Sequence, residues 1–243
     1  MTPVVSDGMR AIGAFLIFGL SALGVALDAA ATPAADSQVG AVLARDYTGA
    51  KGTRTSGEER QLFFDLPVFS AERVDTGVEA STALNLLDNT HLQVGPNSSV
   101  VLDRFVYDPE RHTGEAAISF TRGLFRFVTG EMKNKDGFDL RTPSATLAIR
   151  GTKFIVFVAA DGRSDISVIE GEVLVRSCDG VVHLVGPNES VSVAGDCTES
   201  HKSFGRTAPR HPSVDQDYTR FSDNSGVGGR DGTGTSGGGK RAP

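Results

Sequence analysis

The residue types in this chain that could do chemistry are two carboxylate pairs and one pair of histidines. They are Asp103 with Asp108, Glu170 with Glu172, and His91 with His183. Paired carboxylates can act as general acid and base, but these alternate along apolar runs or lie at turns, where acidic residues are common. The histidines could share a metal only if their surroundings packed side by side, and no third ligand accompanies them. We therefore predict no catalytic residue, no metal site and no cofactor.

Two cysteines, Cys178 and Cys197, have a spacing that permits a disulfide. The midpoint between them falls at Pro187 and Asn188, so in a two-residue hairpin they would face each other with Cα atoms about 4.5–5.5 Å apart. That separation is within the disulfide range. Proline at the first turn position favours type I or II turns, so the register can slip by one. Two buried thiols are the alternative, and no pair has metal-ligand spacing.

The N-terminal segment predicts export. Arg10 is followed by an uncharged apolar run at residues 11–27, and then by small residues at Ala29 and Ala31. This pattern is typical of a secretory signal, although the run also reaches the lower limit of a membrane span. We expect residues 1–31 to be a cleaved signal peptide or a retained inner-membrane anchor, the chain's only contact with a membrane. The remainder would be periplasmic or extracellular in a bacterium, where disulfides persist.

Charge and composition exclude one class of partner and bound the folded part. The 243 residues carry 24 basic and 30 acidic side chains, a net charge of −6 that argues against nucleic acid. Residues 200–243 are rich in Gly, Ser, Pro and Asp, and such a segment buries too little apolar surface to offset its ordering entropy. We predict a disordered tail there, a linker at residues 32–56 and one folded domain at residues 57–199.

The middle of the chain has the period of β-strands. Short runs such as "KFIVFVA" and "EVLVRS" alternate apolar side chains, and turn residues separate them at short intervals. Outside the signal, only residues 39–47 have a pattern compatible with a helix. We therefore predict an all-β domain of many short strands.

One turn occurs twice in this region. "HLQVGPNSSVVL" and "HLVGPNESVSV" place Gly95-Pro96-Asn97 and Gly186-Pro187-Asn188 between similar apolar flanks. Proline fixes φ, and glycine and asparagine accept left-handed backbone, so each stretch reverses or bends the chain. The two copies are too far apart for a regular solenoid. We expect two equivalent corners in a β stack, either sandwich-like or a short irregular β-helix.

Five motifs in a fixed order resemble one protein family. They are "ERVDTG" (72–77), "VGPNSSVVLDRFVYDP" (94–109), "TRGLFRFVTG" (121–130), "RTPSATLAIRGTKF" (141–154) and "VIEGEVLV" (168–175). The series is similar to the FecR domain family, named for the periplasmic part of the ferric-citrate regulator, and the similarity extends over roughly residues 57–193. The resemblance implies a periplasmic module that works through contacts with other proteins.

The ends of the chain depart from what the resemblance implies. Full-length regulators of the family have a cytoplasmic anti-sigma segment, a membrane helix and often a further small domain. Only ten residues precede the apolar run here, and the residues after 193 are mostly of disordered composition. We therefore expect a stand-alone exported FecR domain without the anti-sigma segment.

These observations lead to two functional hypotheses, and an enzyme remains an option only if a pocket gathers acidic residues that are distant in sequence. The first is a non-enzymatic binding or signalling module of the cell envelope, with a protein partner of unknown identity. The alternative is a structural or assembly protein of the envelope.

The candidate binding motif is Arg150-Gly151-Thr152, the most conspicuous polar group in an apolar setting. Under a functional interpretation it is a partner-recognition loop. Under a structural one, Arg150 is buried or half-buried, and backbone carbonyls together with Glu170 or Glu172 satisfy its guanidinium, because a buried charge requires such pairing. Gly151 would then permit a β-bulge beside it.

Overall fold

The computed structural model of the protein describes residues 37–43, 49–134 and 137–215. Within these ranges the elements are β1 (Gln38–Val42), β2 (Ala50–Thr53), β3 (Glu59–Gln61), β4 (Pro67–Phe69), β5 (Glu72–Thr76), β6 (Thr82–Leu86), β7 (His91–Val94), β8 (Ser99–Asp108), β9 (Thr113–Val128), β10 (Phe138–Arg141), β11 (Ala145–Val158), β12 (Ser164–Ser177), β13 (Val182–Val185), β14 (Glu189–Val193), β15 (Ser200–Phe204) and α1 (Pro212–Asp215). The predicted all-β class is confirmed.

The predicted signal peptide or anchor, residues 1–31, lies outside the described residues. Among the residues that the structure describes, no helix has the length and hydropathy of a membrane span.

Three long strands change partners part-way along their length. The first part of β9 pairs with β8 and β10, and its last part pairs with β7 and β11. β11 and β12 pair with each other throughout and are interrupted by a shared bulge. The bends contain glycines with positive φ: Gly123 (105°), Gly151 (58°) and Gly171 (78°). A regular pleat cannot turn this sharply, so a bulge or a glycine is needed where a strand changes direction.

The bends divide one hydrogen-bonded sheet into two layers. The first layer has the order β4–β1–β6–β7–β9–β11–β12–β14–β15, and the second β3–β2–β5–β8–β9–β10–β11–β12–β13. Inward side chains of the two layers meet. The ring centroid of Phe127 lies 5.6 Å from that of Phe138, and the centroids of Phe125 and Phe120 are 5.0 Å apart. A single apolar core lies between the layers, which is the sandwich-like arrangement.

The two Gly-Pro-Asn stretches are equivalent corners between these layers. β7 and β8 run in succession along β9, and β13 and β14 run in succession along β12 in the same way. Asn97 and Asn188 have φ of 50° and 61°, the left-handed backbone that asparagine accepts more readily than most residues. The repeat therefore bends the chain from one layer to the other. It does not form the two-residue hairpin considered from the sequence.

A disulfide joins Cys178 and Cys197, whose Cα atoms are 5.4 Å apart. Cys178 follows the end of β12. Cys197 lies in the turn after β14, whose last residue pairs with Ser164 at the beginning of β12. The bond therefore connects the two ends of the bent strand β12. The cysteines meet because β12 folds over, whereas the sequence argument had placed them across a hairpin.

The sheet begins earlier than predicted. β1 lies where residues 39–47 suggested a helix, and β1 and β2 both lie within the predicted linker at residues 32–56. Those assignments are wrong for these strands. Val39 and Val42 are buried in the common core, and β1 pairs with both β4 and β6. Tertiary pairing decides the structure of so short an apolar segment, because its local pattern fits either form.

The sheet also ends later than predicted. β15 and α1 lie in residues 200–243, which were assigned to a disordered tail, and that assignment is wrong as far as residue 215. β15 is polar because it is an edge strand held by backbone pairing to β14. After it, Ala208 and Val214 cover Leu124 and Ile155 on the outer side of the first layer.

The corner at Gly171 provides a test of the layered fold. A Cβ on Gly171 would lie 2.6 Å from the Gly151 carbonyl oxygen, whereas a Cβ on Gly180, also at positive φ (90°), would meet nothing within 4 Å. Left-handed backbone alone costs an L-residue about 1–2 kcal/mol. We expect Gly180→Ala to lower the free energy of unfolding by that amount and Gly171→Ala by clearly more, measured by urea denaturation. Equal losses would show that the corner is not closely packed.

Removal of the disulfide should destabilise the domain without changing its fold. Cys178 and Cys197 are 19 residues apart in sequence, and closure of a loop of that size contributes about 3 kcal/mol. The Cys178→Ser, Cys197→Ser double variant should therefore unfold at lower urea concentration while its far-ultraviolet circular dichroism is unchanged. Unfolding at the wild-type urea concentration would contradict a stabilising role for the bond.

Candidate functional site

The carboxylates and histidines considered for chemistry do not assemble into a site. Asp108 accepts a hydrogen bond from Arg111 at 2.5 Å, and this contact lowers the pKa of the Asp108 carboxyl. Glu170 pairs with Lys153 at 3.1 Å, and His183 Nε2 lies 2.8 Å from the Ser200 hydroxyl. No group of three metal-ligating side chains occurs in the described ranges.

Arg150, Gly151 and Thr152 form the corner of β11. Thr152 is buried, and its backbone N–H donates to the Thr129 hydroxyl at 3.0 Å, while that hydroxyl donates to the Thr152 carbonyl at 3.0 Å. These bonds hold the end of β9 against the corner. The predicted bulge at Gly151 is present. The motif's glycine and threonine are thus structural.

Arg150 itself is exposed, so the hypothesis of a buried or half-buried arginine is wrong. Along β11 the side chains alternate between core and solvent, and Arg150 falls on the outer side with Ala148. Its cross-strand neighbour is Glu172 of β12. Of the three motif residues, Arg150 is the one that is available to a partner through its side chain.

Beside Arg150, an apolar row crosses three strands of the second layer. The exposed Glu172 and Arg176 of β12 border it on either side. Ala148 lies directly opposite Leu174 on β12, and Leu174 lies directly opposite Leu184 on β13. Leu174 is 40% exposed, Val182 43% and Leu184 54%. We call this set, Ala148, Arg150, Leu174, Val182 and Leu184, the hairpin surface. Exposed apolar residues that cluster in this way mark contact sites more often than single ones do.

The hairpin surface ends at an open strand edge. Among the described residues, β13 pairs with β12 on one side and with no strand on the other. An edge strand presents unpaired backbone N–H and C=O groups to solvent. The surface therefore combines apolar side chains with backbone groups that another chain can bind.

β15 belongs to the other layer and borders the same edge. The Ser200 hydroxyl at its start contacts His183 of β13 at 2.8 Å. Further along, Lys202 lies opposite the buried Val191 of β14, and its ammonium group is 2.7 Å from the Glu189 carboxylate. Glu189 also accepts the Gly186 N–H at 2.7 Å, across the second Gly-Pro-Asn corner.

Apart from Arg150, the hairpin surface was not predicted, although the sequence contains a signal for it. "VVHLV" is apolar at four of its five positions, whereas a strand with one solvated face should alternate with polar residues. Val185 faces the core and Leu184 faces outward. β13 therefore has apolar residues on both faces. In a strand at the edge of a layer, this pattern indicates a contact surface.

The corner at Glu189 makes stability depend on pH. The hydrogen bond from Lys202, and then that from the Gly186 N–H, lower the pKa of the Glu189 carboxyl. A carboxyl whose pKa is lower in the folded state stabilises the fold above its unfolded value, and this contribution is lost as pH falls through the folded value. Glu189→Gln should therefore destabilise the domain at about pH 7 and much less at about pH 3.

The measurement is the urea midpoint of unfolding at both pH values, with Glu199→Gln as the control. Glu199 is an exposed residue whose carboxylate contacts the exposed His201. A loss of stability in Glu189→Gln that is equal at both pH values would contradict the electrostatic account of the corner.

No curated protein matches the chain. Two crystal structures of a candidate anti-sigma factor from Parabacteroides distasonis are similar, at 2.50 Å and 1.65 Å resolution, with 20% sequence identity in each case. Their TM-scores are 0.47 and 0.44. The aligned part covers 55% of this chain and 60% of the solved chains, so the match spans less than two thirds of their length.

A family model gives the more specific result. The model described as "FecR protein" matches residues 72–174. The match begins at the first residue of the "ERVDTG" motif and ends one residue before the end of "VIEGEVLV", so it contains four of the five motifs in full and nearly all of the fifth. The predicted resemblance to the FecR family is confirmed over residues 72–174.

Proposed function

We propose that this protein is a non-enzymatic binding and signalling module of the bacterial cell envelope, and that it contacts a protein partner through the hairpin surface. The observation that carries the proposal is the row from Ala148 through Leu174 to Leu184, with Leu184 54% exposed beside an open strand edge. The fully buried core of a protein interface is more apolar than the rest of the surface, and this row offers such a core.

The FecR domain supports the signalling part of the proposal, because the family resemblance implies a module that relays information through protein contacts. The location in the periplasm or outside the cell, with or without an inner-membrane anchor, is supported by the apolar run at residues 11–27. The disulfide between Cys178 and Cys197 is also supporting, since such bonds persist in oxidising compartments.

A structural or assembly role in the envelope is the second candidate. Within the part of the chain that the structure describes, β13 and β15 are edge strands, and this favours the role because an edge strand can extend a partner's sheet. The two roles differ in the partner. A structural partner is abundant and present in fixed proportion, whereas a signalling partner is rare and its contact depends on a stimulus.

The test is crosslinking in intact native cells with the tagged full-length protein and two leucine variants. Leu184→Ser removes the most exposed large apolar side chain of the hairpin surface. Leu87→Ser is the matched control, because Leu87 is 50% exposed and lies between β6 and β7. We expect Leu184→Ser to lose most of the crosslinked partner and Leu87→Ser to retain it.

Mass spectrometry of the crosslinked product then separates the two roles. An inner-membrane regulator or outer-membrane receptor supports signalling, and an abundant envelope structural protein supports the second candidate. If Leu184→Ser and wild type give the same crosslinked products, the hairpin surface is not the binding site and the proposal fails.

A further inference from the structure

We propose that the partner binds as a single extended strand, which adds to the open edge of β13 beneath the overhanging strand β15. This inference rests on the proposed protein-binding function and specifies how the contact is made. Strand addition uses backbone hydrogen bonds for affinity and alternate side chains for specificity.

The backbone of β13 is oriented for this pairing. The Ser177 N–H donates to the Val181 carbonyl at 2.9 Å where β12 turns into β13. Hydrogen-bonded and non-bonded pairs alternate along an antiparallel ladder, so His183 and Val185 bond to β12. The N–H and C=O groups of Val182 and Leu184 therefore point to the open edge.

β15 forms a roof over the position next to β13. The first layer continues beyond β12 with β14 and β15, whereas the second continues with β13 alone. Ser200 and Lys202 pair with Val193 and Val191, both buried, so their side chains share the inner side of β15. Phe204 follows in the same alternation and is 86% exposed. An added strand would cover this ring.

The same overhang disfavours a second copy of the domain as the occupant. If β13 of another copy occupied the position, its own β14 would lie above it, because β13 and β14 are joined by one corner in every copy. β15 already fills that space. A strand fits beneath β15 only if no second strand of its own protein packs over it on that side. The occupant is therefore an isolated segment such as a terminus or an extended loop.

The surroundings define the chemistry of this segment. On its outer side, apolar residues would lie beside Val182 and Leu184 of β13 and extend the hairpin surface. On its inner side, an apolar residue would cover Phe204. β13 has four residues and is followed by Pro187, which has no N–H, so the segment is short.

The experiment uses a synthetic peptide with the sequence GEVLVRS, capped at both ends, and the full-length protein. This is the sequence of residues 171–177, which contains the strand that pairs with the other side of β13. Backbone hydrogen exchange is measured with and without the peptide. We expect slower exchange at Val182 and Leu184. Protection confined to another edge strand, β3, β4 or β15, or no protection at Val182 and Leu184, would overturn the assignment to β13.

Two pairs of variants test the backbone and the roof separately. Leu184→Pro removes an N–H that points to the open edge, a position where proline is compatible with a sheet, and Leu184→Thr keeps it. Loss of one hydrogen bond should make peptide binding by Leu184→Pro about threefold to tenfold weaker than by Leu184→Thr.

Phe204→Ala should also weaken binding. Phe63→Ala, which changes a 60% exposed ring next to β3, should not.

Equal peptide affinity for Leu184→Pro and Leu184→Thr, or no effect of Phe204→Ala, would overturn strand addition. The Phe204→Ala result remains decisive if Leu184→Pro does not fold, which thermal unfolding would reveal. Failure of strand addition leaves the proposed function intact if Leu184→Ser still abolishes crosslinking in cells. If the peptide binds as expected but crosslinking is unaffected by Leu184→Ser, the proposed function at this surface is what fails.

Discussion

The structure depends on the bending of β-strands between two layers. A regular pleated strand cannot turn through the edge of a sandwich, so the pleat must be interrupted by residues that accept an unusual backbone. Gly123, Gly151 and Gly171 have positive φ in the long strands. Asn97 and Asn188 have positive φ in the segments that run beside those strands. Each bend in a long strand requires a matching bend in its neighbour. This requirement explains why the Gly-Pro-Asn stretch occurs twice.

Much of the fold could be predicted from local pattern, and the topology could not. Alternation of apolar residues identified the long strands correctly, because a strand with one face in the core records that burial in its sequence. The same reasoning failed for β1 and β15. β1 is a short apolar segment whose form is decided by pairing with β4 and β6. β15 is polar because backbone hydrogen bonds and the Lys202–Glu189 ion pair attach it to β14, and neither requires the alternating apolar pattern of a strand with one face in the core.

The candidate site shows a similar division. Arg150-Gly151-Thr152 was conspicuous, but Gly151 and Thr152 form the corner of β11 and only Arg150 reaches the hairpin surface. Leu174 and Leu184 are far less conspicuous in the sequence because leucine is expected in any strand. Their significance comes from the register that places Ala148, Leu174 and Leu184 in one line on the solvent side, and register is a property of strand pairing. The edge of β13 likewise becomes visible only when the order of strands in both layers is known.

The disulfide and the C-terminal cover of the first layer have a consequence for how the domain is delimited. The FecR match ends at residue 174, in the interior of β12. A fragment with those boundaries would lack both cysteines, the corner at Asn188 and the segment in which Ala208 and Val214 cover Leu124 and Ile155. It would also lack β1 to β4, which complete both layers at the other end. The segment that matches the family is thus smaller than the unit that folds, because residues on both sides of it, such as Val39 and Val191, belong to the same apolar core.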